Sequence, residues 1–274
     1  MTRTTGPAPA RTSLHTTVLG EGEPPVVFCH GLFGQGRNWT QIGKELAADH
    51  HRVTLVDLPN HGRSGWTDEV DLVADADRVA DLLAEGPPAV LVGHSMGGKV
   101  AMLTALRHPE VVERLCVVDI APVSYRRVGE FAGFIEGMLG LDLTSVERRS
   151  DADEQLASHV EDPSVRAFLL QNLRREGDGW RWQANLPLLG EQLGAIGGWP
   201  EDRLGDVSPY PGPVLWLAGA NSAYVRDEHA PAMERWFPRV RRVTVKNAGH
   251  WVHSEQPEVF LAVLRRFIAA GRED

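Results

Sequence analysis

A serine between glycines is the first residue in this sequence whose setting suggests chemistry. Ser95 lies in Gly93-His-Ser-Met-Gly97, which matches the pattern Gly-x-Ser-x-Gly. An apolar run precedes the pentapeptide and a helical pattern follows it, so the chain must reverse sharply and present the hydroxyl at the tip of a turn. A chance pentapeptide is the alternative, and the strand and helix on either side argue against it. The pattern predicts Ser95 as a nucleophile for acyl transfer.

A serine nucleophile needs a base to take its proton, and His250 is the predicted base. It lies in Lys246-Asn-Ala-Gly-His-Trp251, directly after the last apolar run of the chain, where a glycine favours a turn back over the strand ends. His253 is the nearest rival, at the start of the last helical pattern. His94 adjoins Ser95, but its side chain should point away from the tip of the turn.

Acyl transfer passes through a tetrahedral oxyanion, which needs hydrogen-bond donors. The glycine-rich loop His30-Gly-Leu-Phe-Gly34 follows an apolar run that ends at Cys29. Its backbone N–H groups can therefore turn toward the serine. The predicted donors are the N–H groups of Leu32 and of Met96, the residue after the nucleophile. An ordinary glycine turn is the alternative for this loop.

The elements that must position these residues alternate along the chain. Short apolar runs rich in Val and Leu predict buried strands, and helical patterns lie between them. This alternation predicts an α/β protein with a mostly parallel central sheet flanked by helices, and a first strand near 14–18 that pairs antiparallel at an edge. The other predicted strands are 26–29, 53–56, 89–92, 115–118, 214–217 and 243–245, and the predicted helices are 39–48, 70–84, 96–107, 230–236 and 258–269.

One long segment departs from the alternation. Residues 123–210 contain helical patterns but no convincing strand, and a loop of this length is improbable within a compact domain. We therefore predict an inserted helical lid at 123–210, a core formed by 13–122 and 211–274, and a disordered tail at 1–12. The lid should cover Ser95 and supply most of the acyl pocket. The predicted substrate-binding residues are Phe33, Phe131, Phe134, Trp182 and Asn185.

Four stretches of the sequence together resemble a known family. They are His30-Gly-Leu-Phe-Gly-Gln-Gly-Arg-Asn-Trp39, Asp57-Leu-Pro-Asn-His-Gly-Arg-Ser64, Gly93-His-Ser-Met-Gly-Gly-Lys-Val-Ala-Met102 and Val118-Asp-Ile-Ala-Pro-Val123. The chain resembles the α/β-hydrolase fold family, whose order of serine, acid and histidine it follows. Within that family it is similar to the YbfF-type esterases, which are small carboxylesterases and acyl thioesterases. The resemblance implies a cofactor-free enzyme that acts on modest acyl esters.

The acid of the triad is where the sequence departs from the common pattern of this family. Most members carry it after the penultimate strand, but here that turn reads Gly219-Ala-Asn-Ser222. Asp119 ends a buried apolar strand, where a carboxylate is costly unless it has a partner such as an imidazole N–H. The YbfF resemblance favours the same residue, so Asp119 is the predicted acid. Asp227, further along the usual loop, and the absence of any acid are the alternatives.

Composition narrows the class of protein and its partners. The 274 residues carry a formal net charge of −9, with a pI near 5.7, which argues against a nucleic-acid partner. Cys29 and Cys116 lie in apolar runs, which predicts buried thiols in a reducing compartment. No signal-peptide pattern or membrane-length apolar run is present in the sequence. We expect a cytoplasmic protein without metal or membrane partner, and the residues carry no signal of its oligomeric state.

The predicted function is hydrolysis of carboxylic esters or acyl thioesters of small to medium chain length through an acyl-enzyme on Ser95. A cofactor-free haloperoxidase or perhydrolase is the alternative within the same fold, because it would use the same triad with peroxide as acceptor. A non-catalytic ligand-binding protein on a hydrolase scaffold is a third hypothesis, and the intact set of Ser95, His250 and Asp119 argues against it.

Overall fold

The predicted alternation of strands and helices is present in the computed structural model, which describes residues 13–125 and 129–270. The predicted tail at 1–12 lies outside the described residues. The strands are β1 (His15–Leu19), β2 (Val26–Cys29), β3 (Val53–Asp57), β4 (Ala89–His94), β5 (Val112–Val118), β6 (Leu173–Glu176), β7 (Gly179–Trp182), β8 (Val214–Gly219) and β9 (Val240–Val245). The α-helices are α1 (Thr40–Ala48), α2 (Leu72–Leu83), α3 (Met96–Arg107), α4 (Gly129–Leu139), α5 (Arg149–Leu156), α6 (Pro163–Leu169), α7 (Leu186–Glu191), α8 (Leu193–Gly197), α9 (Ala230–Trp236), α10 (Val252–Glu255) and α11 (Pro257–Ala269).

Seven of these strands form one central sheet in the order β1-β3-β2-β4-β5-β8-β9. The edge strand β1 pairs antiparallel with β3, and the other neighbouring strands of the sheet pair in parallel. This topology confirms the predicted fold class. Because parallel strands all end at one edge of the sheet, the loops that follow β4, β5, β8 and β9 meet there.

The register of the central strands places two predicted site residues side by side. His94 at the end of β4 is paired with Val118 at the end of β5, and Val118 is paired with Leu217 of β8. The backbone N–H of Ser95 donates to the Val118 carbonyl at 3.1 Å, and that of Asp119 donates to the Leu217 carbonyl at 2.8 Å. Ser95 and Asp119 therefore leave the sheet from neighbouring strands at the same level.

Both faces of the sheet are buried, which explains why the strands are continuous apolar runs. On β4, Val90 and Val92 pack toward α1 and α11, while Leu91 packs on the opposite face toward α2 and α3. The two cysteines are divided between these layers. Cys29 and Cys116 are buried free thiols, as the sequence predicts.

The segment between β5 and β8 differs in part from its prediction. It contains the helices α4 to α8, but β6 and β7 form an antiparallel hairpin there, so the prediction that this segment has no strand is wrong. Each of these strands has only four residues and a high share of arginine, so the apolar pattern does not mark them. Gly177 makes the turn between them with a φ of 57°. None of the helices among the described residues is long and apolar enough to cross a bilayer.

Candidate active site

Ser95 lies at the tip of a tight turn between β4 and α3. Its φ of 53° and ψ of −118° are strained for a residue with a side chain. The turn requires glycine on both sides, since a Cβ on Gly93 would lie 2.2 Å from the Gly97 carbonyl oxygen. A Cβ on Gly97 would lie 2.4 Å from the carbonyl oxygen of His30. The close approach of these segments thus holds the serine in its unusual conformation.

The Asp119 carboxylate is fully buried and makes three hydrogen bonds. Its Oδ2 accepts a hydrogen bond from Nδ1 of His250 at 2.7 Å. Its Oδ1 accepts one from the backbone N–H of Gly219 at 2.9 Å, and Ser222 donates its hydroxyl to Oδ2. These donors compensate for the loss of water around the charge. Asp227, the alternative acid, is 99% exposed at its side chain and pairs with Arg242.

Three contacts hold His250, two at its imidazole ring and one at its backbone carbonyl. Asp119 accepts from Nδ1, which leaves Nε2 of the neutral ring free to take a proton. The ring of Tyr224 stacks on the imidazole with centroids 4.1 Å apart. His94 donates from its Nε2 to the backbone carbonyl of His250 at 2.8 Å. His94 thus supports the loop of the predicted base, and it lines the same cavity as Ser95.

The rival base, His253, is in a different environment. Its ring stacks on Trp39 with a centroid separation of 4.0 Å and meets the ring of His94 edge-on with centroids 4.8 Å apart. Burial, with a smaller contribution from His250, lowers the pKa of His253 to about 3. A ring with so low a pKa is a weak base at neutral pH.

The predicted oxyanion donors belong to two segments beside the serine, and Leu32 and Met96 line the second cavity together with it. The loop after β2 passes so close that a Cβ on Gly31 would lie 3.1 Å from the Cβ of Ser95. In the same loop, the backbone N–H of Phe33 donates to Nε2 of His61 at 3.2 Å and is therefore not free to bind an oxyanion. Met96 is the first residue of α3, so its N–H has no acceptor within the helix.

Two cavities meet at Ser95 under the inserted segment. Of the predicted substrate-binding residues, Phe33, Phe131 and Phe134 line the first cavity, together with Ser95 and His250. The remaining wall of the first cavity is formed by Leu32, His94, Val165, Phe168, Leu169 and Trp251. The second cavity is lined by Leu32, Ser95, Met96, Lys99, Ile120, Tyr125, Phe131, Leu193, Ile196, Gly197 and Tyr224. Sequence reasoning missed the polar members of this second set, because an apolar-pocket argument gives them no signal.

Trp182 and Asn185 are not part of either cavity wall, and their prediction as substrate-binding residues needs correction. The backbone N–H of Asn185 donates to the carbonyl oxygen of Asn60 at 2.9 Å, and its side-chain amide donates to Asn60 Oδ1 at 3.1 Å. Trp182 ends β7 and packs, half-buried, on the main core. The contacts of Asn185 attach the inserted segment to the turn after β3, and Trp182 packs on the core.

A serine, a histidine and a carboxylate grouped at the strand ends of such a sheet are features of α/β hydrolases. The chain belongs to that family: residues 24–257 match the family described as alpha/beta hydrolase fold. It is 41% identical over 253 residues to the sn-1-specific diacylglycerol lipase ABHD11 of Mus musculus, with 90% of this chain and 81% of that protein covered.

Two further comparisons agree with this family. Over 248 residues the chain is 32% identical to Esterase YbfF of Escherichia coli (strain K12), with 89% of this chain and 92% of that protein covered. The predicted YbfF-type resemblance is thereby confirmed. The solved structure of a marine microorganism esterase superposes with a TM-score of 0.89 at 32% identity, covering 93% of this chain and 99% of that one.

Proposed function

We propose that this protein is a serine hydrolase that cleaves carboxylic esters, with Ser95 as nucleophile, His250 as base and Asp119 as acid. The observation that carries the proposal is the 2.7 Å contact between Nδ1 of His250 and Asp119, beside a strained serine that lines the same cavity as the imidazole. The relatives named for ester or lipid hydrolysis support the same reaction class.

The reaction begins when Ser95 Oγ attacks the acyl carbonyl and its proton moves to Nε2 of His250. The resulting oxyanion is stabilised by the N–H groups of Leu32 and Met96. When the intermediate collapses, the alcohol leaves with the proton from His250, and the acyl group stays on Ser95. Water then attacks the acyl-enzyme and gives its proton to His250, which returns it to Ser95 as the acid is released. Asp119 stabilises the imidazolium in both steps.

An uncharged acyl group should lie in the first cavity, where Phe131, Phe134 and Phe168 supply an apolar wall. Such a wall favours small to medium acyl chains and does not depend on whether the leaving group is an alcohol or a thiol. Acyl thioesters of the same chain length are therefore included in the proposed substrate range.

A paired kinetic and labelling experiment tests this function. Wild type should hydrolyse p-nitrophenyl esters of rising chain length and the matching acyl thioesters, and a fluorophosphonate probe should label Ser95. Ser95→Ala should lose the label and nearly all activity, by up to about 10⁶-fold in kcat, while its melting temperature is retained. Retention of more than a few per cent of the rate by this variant would exclude Ser95 as the nucleophile.

A further inference from the structure

A buried lysine lies one helical turn after the proposed nucleophile. Lys99 lies in α3, four residues after Ser95, and its backbone N–H donates to the Ser95 carbonyl oxygen at 3.1 Å. Lys99 is 1% exposed and lines the second cavity together with Ser95 and Tyr125. The reaction proposed above gives this lysine no role.

The contacts of the Lys99 ammonium are unusual because they include no anion. Nζ donates to the carbonyl oxygens of Gly197 at 2.5 Å and Gly198 at 2.6 Å, where α8 ends. The ring of Tyr125 lies 5.0 Å from Nζ. Across residues 13–125 and 129–270, no carboxylate forms an ion pair with this lysine. An ammonium group has three donors, so one of them has no oxygen acceptor, and a buried charge without a counter-ion is unfavourable.

The other titratable groups of this cavity supply no negative charge. Burial raises the pKa of Tyr125, and it raises the pKa of Tyr224 to about 12, so both phenols are neutral near pH 7. Burial also lowers the pKa of Lys99 to about 7, since the cavity favours the neutral amine. Asp119, the carboxylate of the proposed triad, already accepts hydrogen bonds from His250 and two other donors. A carboxylate on a bound ligand would supply the missing counter-ion.

We propose that Lys99 is a specificity-determining residue that binds a carboxylate on the acyl group, so that half-esters of short dicarboxylic acids are preferred substrates. This inference rests on the ester hydrolysis proposed above and names its substrate class. Lys99 lies one turn into the helix that follows Ser95 and lines the same cavity, which favours a short spacer between the ester carbonyl and the carboxylate. Apolar walls at Ile120, Leu193 and Ile196 would contact the methylene groups between the two carboxyl carbons.

A ratio of two substrates tests the proposal. Monophenyl adipate and phenyl hexanoate have the same chain length and leaving group and differ in the terminal carboxylate. In wild type the adipate half-ester should have the higher kcat/KM, and Lys99→Met should lower the ratio of the two kcat/KM values by about tenfold or more. The control is Lys44→Met, which removes an exposed lysine on α1 and should leave the ratio unchanged. If Lys99→Met lowers both substrates by the same factor, Lys99 only fastens the inserted segment and the inference is wrong.

A binding measurement does not depend on how well the lysine variant folds. Monophenyl adipate and phenyl hexanoate are titrated into Ser95→Ala by calorimetry at pH 8 in buffers of different ionisation enthalpy. Binding of the adipate half-ester should take up more protons than binding of phenyl hexanoate, by up to about one, because a bound carboxylate raises the pKa of Lys99. Equal proton uptake would overturn the inference. Failure of wild type to hydrolyse either phenyl ester would instead count against the proposed function, so the two outcomes are distinguishable.

Discussion

Ser222 donates a hydrogen bond to Asp119, at the same carboxylate oxygen that accepts one from the His250 imidazole. Ser222 lies in the turn after β8, where most α/β hydrolases carry the acid. Its own hydroxyl accepts from the backbone N–H of Tyr224 at 3.1 Å, and the Tyr224 ring stacks on the imidazole. The serine therefore links the usual acid position to an acid on the neighbouring strand, which is the basis of the first two predictions.

Asp119→Asn should lower kcat by about 10⁴-fold at neutral pH, because an amide cannot stabilise the imidazolium of His250 as a carboxylate does. The measurement is steady-state hydrolysis of a p-nitrophenyl ester, with circular dichroism to verify the fold. Asp227→Asn is the matched control and should change kcat by less than about tenfold, since that carboxylate is exposed and pairs with Arg242. Exchange of the two phenotypes would assign the acid to Asp227.

A carboxylate introduced at position 222 should partly replace the lost acid. We expect Asp119→Asn combined with Ser222→Asp to recover at least about tenfold in kcat over Asp119→Asn alone, because the side chain at 222 already reaches the oxygen that contacts the imidazole. Ser222→Asp alone should be less active than wild type, since two adjacent carboxylates share a proton. The control pairs Asp119→Asn with Ser222→Asn. Equal recovery by this neutral pair would show that charge is not the cause.

Most strands and helices of the central sheet could be predicted from the sequence, because buried segments are apolar and their spacing of apolar residues differs between strands and helices. β2 has the bounds that its apolar run predicts, and α3 has those that its helical pattern predicts. Ser95 follows from a pentapeptide whose glycines are required by close backbone contacts. Asp119 could be proposed as the acid because a carboxylate at the end of a buried strand needs a partner. Each of these inferences used residues close together in the chain.

The remaining features depend on contacts between distant segments, which no local pattern reports. The hairpin of β6 and β7 is short and rich in arginine, and the tryptophans of β7 pack on residues distant in the chain. The sequence predicts Trp182 and Asn185 as pocket residues, but it does not report the hydrogen bonds that join Asn185 to Asn60 in a distant loop. Lys99 lies in the stretch Gly93–Met102 that carries the family resemblance, but the carbonyl groups that it contacts are about a hundred residues away in the chain.

The phenylalanines of α4 should set the preferred acyl chain length. Phe131 and Phe134 line the first cavity and contact each other with ring centroids 6.2 Å apart. Phe134→Ala should raise kcat/KM for p-nitrophenyl octanoate relative to butyrate by about 3- to 30-fold, because the removed ring leaves room for further methylene groups. Leu139→Ala changes an exposed residue of the same helix and should leave the ratio unaltered. An unchanged ratio in Phe134→Ala would remove α4 from the specificity determinants.

Several buried histidines behind the catalytic edge make stability depend on pH. Burial lowers the pKa of His30 to about 4, and burial with the neighbouring His30 lowers that of His61 to about 3. The unfolded chain binds protons at these rings below about pH 6.5 while the folded protein does not. The stability that the neutral rings provide is therefore complete above pH 6.5 and is lost as the pH falls toward the folded values.

His253 offers the sharpest test of this dependence, because its Nδ1 is buried without a hydrogen-bond partner and its pKa is lowered, mainly by burial, to about 3. His253→Phe should keep the stacking on Trp39 and remove one titration, so its free energy of unfolding should exceed that of wild type by an amount that grows by about 1.4 kcal/mol per pH unit between pH 6 and pH 4. Urea denaturation at pH 7.5, 6, 5 and 4 measures the difference. The exposed His159 is the control, and His159→Phe should leave the pH slope unchanged.

The His253 variant should also retain esterase activity, since His250 is the proposed base. A slope identical to that of wild type would show that His253 binds protons equally in the folded and unfolded protein, which contradicts the prediction. A loss of activity comparable to that of His250→Gln would make His253 a candidate for the base again.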